Sequence, residues 1–241
     1  MKMFRIILKS KTAFFRNDVT STSYQESFNC PPISTIYGIV ASAYGEYRYD
    51  FKFGFTFDFL VKSLVSELVI QKTKSFKDKL YKKYLFDDKF DRKDILVGCT
   101  ATLPMKREIL YNCTLSLYVD NKEIAESFKQ PYYSILLGRT EDLAFVKEVK
   151  EINLLRTQDY KSKVMFGKTI IPFDLAGLIP GRISKMNIKI SDSIPRKVEK
   201  VGIFSIIDNF WPIQYISNNG FKDNVRVDPE TGIGVFIYDN L

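Results

Sequence analysis

Apolar and polar positions change their period several times along the chain. Residues 2–9, KMFRIILK, are apolar and β-branched enough for a buried strand. A polar loop follows and is closed by Pro31 and Pro32. Beyond it Ile36, Ile39, Val40 and Ala43 recur on one helical face, with Ser34 or Thr35 placed as the N-cap. Residues 47–59 alternate Phe51, Phe53, Phe55, Phe57 and Phe59 with Lys52, Gly54, Thr56 and Asp58, the period of a strand with one apolar face. Residues 60–72 fit a helix or a strand, and the adjoining Leu68, Val69 and Ile70 favour a strand for the second half. Two apolar stretches, ILVGCTATL and ILYNCTLSLYV, joined by residues 104–108, fill positions 95–119. Asp120 and Asn121 then turn the chain into a short helix over 122–129, which Pro131 ends before a compact strand over 132–137.

That order is strand, helix, strand, strand, helix, strand, the split βαβ or ferredoxin-like order, shared with the RNA-recognition motif. Residues 72–93 interrupt it with nine basic and four acidic side chains, and so read as a solvent-facing insertion. In that insertion Phe76, Leu80 and Tyr84 mark a short apolar seam. From about Ala144 the chain is richer in strands, punctuated by Gly177, Pro180-Gly181, Pro195 and residues 229–232. The expected class is α+β: a ferredoxin-like unit over 1–143 and a β-rich region over 144–241.

Charge narrows the function. The formal net charge is +8 over 241 residues, which favours an anionic partner. The 20 Phe and 14 Tyr suit a β-rich core or base-stacking surfaces, and composition does not separate the two uses. Three scattered cysteines without a CxxC pair suggest neither zinc nor a disulfide framework, but a reducing, cytoplasmic setting. No apolar run is long enough to span a bilayer. There is no histidine, which excludes an imidazole base, a Ser-His-Asp triad and a histidine-held metal. No cofactor or metal is expected.

Three ordered segments go further: AFFR (13–16) with CPPISTIYG (30–38) leading to AYG (43–45), then KREIL (106–110), then PYYSILLGR (131–139). Together they resemble the Cas-five family, the RAMP-superfamily subunit of CRISPR Cascade surveillance complexes that caps the 5′ end of the guide RNA. The resemblance spans roughly residues 3 to 140 and looks most like the type I-B branch. It implies a ferredoxin-like domain with a protruding thumb, here within about 72–102. It also implies a grip on the crRNA 5′ handle, contacts with the Cascade backbone subunit and large subunit, and target DNA near the PAM as a further partner. Members of the type I-C branch cut precursor crRNA with Tyr, Lys and His. This chain has no histidine to complete that site, so the expectation is a binding subunit and not an enzyme.

The candidate RNA-binding residues follow from both readings. Arg16 can hold a phosphate bidentately. Ser34 and Thr35 start a helix whose free amides and positive dipole end favour an anion. Tyr24 and Gln25 are candidates for unpaired bases, ahead of Tyr37, which suits the core equally well. Lys106 and Arg107 form a basic pair beside a strand start, and Arg139 either meets RNA or anchors its loop through a carboxylate. Gly38 is read as a packing position. Lys185, Asn187 and Lys189, followed by Arg196, Lys197 and Lys200, read first as a solvated strand face, and Trp211-Pro212 as a packing or subunit-contact element.

Overall fold

The computed structural model describes residues 1–17, 23–72, 100–176, 179–193, 195–213 and 219–239. Its centre is β1 (Lys2–Ala13), a strand of apolar residues buried on the sheet's inner face. After it come β2 (Tyr24–Gln25), α1 (Ile33–Tyr44), β3 (Phe53–Asp58), β4 (Val61–Lys72), β5 (Thr100–Val119), α2 (Lys122–Ser127) and β6 (Ala144–Asn153). Hydrogen bonding orders four of these strands β3-β5-β1-β6, and every neighbouring pair is antiparallel.

The register builds the core in cross-strand rows. Phe4, Val119 and Phe53 lie side by side, then Ile6, Leu117 and Phe55, then Leu8, Leu115 and Phe57. All nine are buried. Against these rows α1 packs its apolar stripe of Ile36, Ile39, Val40 and Ala43, so the helical period read from the sequence is the one used. Tyr37 belongs to this core too. Its ring meets Tyr49, Phe51 and Phe53 edge-on, and burial pushes its phenol up to about 12.

The C-terminal part is made of β7 (Leu155–Arg156), β8 (Met165–Phe166), β9 (Thr169–Pro172), α3 (Phe173–Ala176), β10 (Arg182–Ile190), β11 (Val198–Ile207), β12 (Trp211–Pro212), α4 (Asn219–Asp223), β13 (Val225–Asp228) and β14 (Ile233–Tyr238). Of these, β9, β10 and β11 join the core on the α1 side, while Leu154, Val235 and Ile237 gather with Met3, Tyr118 and Ile152 on the sheet's other face. β14 pairs with β3, whereas β10-β11-β9 form a separate sheet. The outcome is a strand-dominated molecule. Gly54 shows how closely β3 and β14 approach: a Cβ there would lie 2.5 Å from the Phe236 carbonyl oxygen. On this face Arg5 is buried, donates to Asp228, Glu148 and Glu230, and lies beside Tyr118, whose hydroxyl also donates to Asp228 at 2.8 Å.

Four local expectations change. Residues 60–72, open between helix and strand, are strand from Val61 onward, paired from Val61↔Tyr111 to Lys72↔Thr100. The two apolar stretches expected over 95–119 are, from Thr100, one strand of 20 residues. Pro104 does not interrupt it, because Lys106, two residues on and of the same pleat, directs its N–H away from β4 to Ser23. The N–H that Pro104 lacks would point the same way, so the β4 ladder loses nothing.

Residues 132–137 form no strand. Tyr132 and Tyr133 instead donate their backbone N–H groups to the carbonyls of Ala43 and Ser42, closing the C-terminal turn of α1 where Gly45 takes the left-handed cap. At the other end of α1 the N-cap is Pro32, whose carbonyl receives Thr35 and Ile36, and no side chain caps the helix. Ser34 and Thr35 therefore stand inside the first turn. The insertion seam of Phe76, Leu80 and Tyr84, and most of the expected thumb, lie outside the described residues.

Candidate nucleic-acid interface

Where β1 ends, the chain crosses the N-terminus of α1 and meets β10, and a cleft of about 590 Å³ opens between them. Its walls are residues 14–17, the first turn of α1, the loop at 136–139, the ring pair Tyr47 and Tyr49, and one side of β10. The lining holds four cationic side chains, Arg16, Arg139, Lys185 and Arg196, and no carboxylate. Arg16, Lys185 and Arg196 are exposed and make no ion pair among the described residues. The uncapped turn carrying Ser34 and Thr35 opens into the same space. Cations and unsatisfied amides thus converge on one concave surface, the electrostatic form of an anion site.

Gly38 is part of that concavity. A Cβ at this position would meet nothing within 4 Å, so the residue does not serve close helix packing as the sequence suggested; it leaves the cleft floor open. Gly138 does the opposite job. With φ at +126° its missing Cβ would fall 2.0 Å from the Phe14 carbonyl oxygen, so only glycine lets this loop pass the end of β1.

Four of the eight residues singled out from the sequence, Arg16, Ser34, Thr35 and Arg139, line the cleft. The other four sit where β2 pairs with β5, Tyr24 beside Lys106 and Gln25 beside Arg107, and do not act as a unit. Lys106 and Arg107 are consecutive in the middle of β5, so the pleat sends them to opposite faces. On one face Lys106 is exposed, and Tyr24 donates to Glu108 at 2.6 Å. That hydrogen bond raises the Tyr24 phenol. Burial works against ionisation of Glu108, but Lys62 and Tyr24 outweigh it and hold the carboxyl below its ordinary value.

On the opposite face Gln25 is buried and accepts from Arg107 Nε at 2.8 Å. Arg107 also meets Glu67 Oε2 at 2.5 Å, while Arg139 meets Glu67 Oε1 at 2.7 Å and is held from behind by the buried Asp142. Both guanidinium groups lie over the Phe14 ring, at 5.7 and 5.8 Å from its centroid. The loop-anchoring role left open for Arg139 is thus observed.

Three contributors escape a reading of the sequence. Tyr47 and Tyr49 stack 6.2 Å apart at 11°, and Lys189 Nζ stands 4.4 Å over the Tyr49 ring. In sequence both tyrosines merge with the alternating phenylalanine run. Glu67 is the third, and its one signal is to be the sole carboxylate of β4. Basic side chains of β10, read first as a solvated face, supply Lys185 to the cleft.

Among the described residues no three His, Cys, Asp or Glu side chains gather to hold a metal ion. Cys30 and Cys113 are buried, and burial pushes the Cys113 thiol up to about 12 and that of Cys30 further. Neither is a thiolate at neutral pH. No described helix is long and apolar enough to cross a membrane.

The sequence matches no family model and no curated protein. The fold does find relatives among solved structures. It is similar to a chain of a CRISPR RNA-guided surveillance complex, with a TM-score of 0.53, 15% identity, and 88% of this chain covering 92% of that one. It is also similar to a chain of the type III-B Cmr-beta complex bound to cognate target RNA and AMPPnP, with a TM-score of 0.52, 11% identity, and 95% of this chain covering 98% of that one. At these identities the likeness is one of fold: the chain shares its architecture with subunits of CRISPR effector assemblies.

Proposed function

We propose that this protein is a non-catalytic RNA-holding subunit of a CRISPR effector complex, a Cas-five-type member of the RAMP superfamily from a type I-B system. In this reading the cleft grips the 5′ handle of crRNA, and surfaces around it meet the backbone and large subunits and target DNA near the PAM. The observation that carries the proposal is the carboxylate-free cleft, with three uncompensated cations and an uncapped helix start facing one space. Arg16, Lys185 and Arg196 take phosphates, Ser34 and Thr35 add hydroxyls at the amide end of α1, and Tyr47 offers a face for an unpaired base.

Two further features support it. The all-antiparallel order β3-β5-β1-β6, with α1 and α2 as the connections, is that of a ferredoxin-like unit. The hairpin of β4 and β5 leads into residues 73–99, where the thumb belongs. In this reading the RAMP unit takes in β6 and runs to Asn153, past the boundary at 143 expected from the sequence, and the β-rich extension follows it. Without histidine, and with both described thiols held protonated, the cleft is fitted to bind its RNA and leave it intact.

The test is co-expression with the neighbouring genes, sequencing of the RNA that co-purifies, and comparison with Gly38→Phe. A Cβ at position 38 meets nothing within 4 Å, so the added side chain is directed into the open cleft. Expected is retention of RNAs sharing one 5′ end in the wild type, at least about tenfold weaker retention in the variant, and an unchanged melting temperature. Equal retention by both proteins would remove the cleft from the proposal. Metal-free cleavage of a repeat hairpin at one position would replace the binding subunit with an endoribonuclease.

A further inference from the structure

Arg107 and Arg139 come from different parts of the chain, yet they converge on the two oxygens of one carboxylate, Glu67. Neither guanidinium depends on Glu67 for its place. Arg107 is oriented by Gln25, Arg139 by Asp142, and both by the Phe14 ring between them. Two fixed guanidiniums facing a pair of oxygens is the geometry that recognises a phosphate. All three charged side chains remain reachable, with 19%, 19% and 28% of their surface exposed, and Arg139 is also a wall of the cleft. Glu67, Asp142 and the exposed Glu141, 3.9 Å from Arg139, outnumber the two guanidiniums, so the group draws no anion while Glu67 is in place. Asp142 is fully buried and receives Thr12, the Arg139 backbone and the Arg139 side chain, so it stays. Glu67 is the member that can leave.

We propose that Arg107, Arg139 and Phe14 form a two-arginine phosphate site occupied in the free protein by Glu67, and that an RNA phosphate displaces this carboxylate on binding. The inference rests on the RNA-holding reading above. It adds that β4, which carries Glu67, is released from the loop at 136–142 when RNA arrives. Exchange of one anion for another leaves the guanidiniums paired throughout, and it discriminates against anions too weak to displace a carboxylate.

The experiment compares wild type, Glu67→Gln, Glu67→Asp, Arg107→Ala, Glu67→Gln/Arg107→Ala and Glu151→Gln. Glu151 pairs with Lys2 at the opposite end of β1, so its variant controls for the change of one charge unit. Binding of single-stranded RNA is read by fluorescence anisotropy, and the rise in melting temperature with inorganic phosphate is read separately. Expected is about tenfold tighter RNA binding by Glu67→Gln, with the salt slope steeper by about one. Expected with it are an intermediate gain for Glu67→Asp, loss of the gain in the double variant, and a change under about twofold for Glu151→Gln. Phosphate should raise the melting temperature of Glu67→Gln more than that of the wild type.

Unchanged or weaker RNA binding by a folded Glu67→Gln, with no extra response to phosphate, would overturn the displacement and leave Glu67 a structural pin. If Glu67→Gln does not fold, wild-type affinity in a folded Glu67→Asp overturns it as well. If the wild type binds no RNA, the functional proposal fails, and the phosphate response of Glu67→Gln still decides the two-arginine site.

Discussion

Arg5 and Arg16 belong to one short stretch of chain, and their surroundings are opposite. Arg5 is buried beneath the C-terminal strands, with Asp228, Glu148 and Glu230 around its guanidinium and Tyr118 alongside. Arg16 stands exposed at the mouth of the cleft, with no carboxylate among the lining residues. Composition counts the two alike within the +8 of the chain. Only the fold separates a cation used to join two layers from one kept free for a ligand. The lesson is that local carboxylate content, and not basic character, marks the functional side of this molecule.

The sharpest way to break the comparison is to remove each arginine in turn. Arg5→Ala leaves Asp228 buried without its cation and should cost about 3–5 kcal/mol, read by urea denaturation. Arg5→Met with Asp228→Leu should cost less than Arg5→Ala alone, because no charge is then stranded.

A second pair contrasts two glycines. Gly54→Ala drives a methyl group against the Phe236 carbonyl and the Val235 side chain, and about 1–3 kcal/mol of destabilisation is expected. Gly38→Ala enters open space in mid-helix and should stabilise by up to about 1 kcal/mol. A loss at Gly38 comparable to that at Gly54 would mean that the cleft is filled and not open.

Acid should then weaken the hairpin before the cleft. Glu108 and Glu26 are held below the ordinary carboxylate value against the effect of burial, Glu108 by Lys62 and Tyr24 and Glu26 by Arg182 and Asn17. Their folded-state values lie below the unfolded ones. Their contribution is therefore complete above the ordinary value of 4.5 and is lost as pH falls through the lower folded values. A melting temperature flat from neutral pH to about 5 and falling below 4.5 is expected, and Glu108→Gln should flatten that fall. The smallest effect closes the series: Arg16→Ala with Arg196→Ala should change stability by under about 0.5 kcal/mol. The same variant should lower the salt slope of RNA binding by about one per residue.

Much of the architecture is legible in the sequence because burial writes directly into period. The phenylalanines of β3 and the stripe of α1 announce their faces, whereas the strand beside β1 at the sheet edge is β6 (Ala144–Asn153) and not the stretch over 132–137. What fails depends on partners distant in sequence. Residues 132–137 look like a strand by composition, but the carbonyls at the end of α1 claim the N–H groups of Tyr132 and Tyr133, and that of Leu137 turns to Asp142. Ser34 and Thr35 look like caps, but Pro32 supplies the carbonyl that starts the helix. The cleft is half legible. Arg16, Ser34, Thr35 and Arg139 can be found because they follow one another along recognisable segments. Lys185 and Arg196 reach the same space only through folding of the C-terminal region over α1, and the Tyr47–Tyr49 pair through the connection between α1 and β3. Glu67 carries no sequence signal beyond being a lone acid in an apolar strand.

β5 carries a mechanical consequence. Its 20 residues run from the open end of the β4 ladder into the middle of the core, over up to about 65 Å, with one irregularity at Asn112, whose φ of 54° is left-handed. β4 holds the outer part in register from Thr100 to Tyr111, and β1 and β3 hold the inner part from Cys113 to Val119, so Asn112 stands at the junction of the two ladders. A push on the outer end is concentrated at this junction, next to Thr12 and Ala13 at the end of β1, which pair with Tyr111 and Leu110. Whatever docks on the far end of this hairpin therefore loads the same beam whose neighbouring strand ends at the cleft.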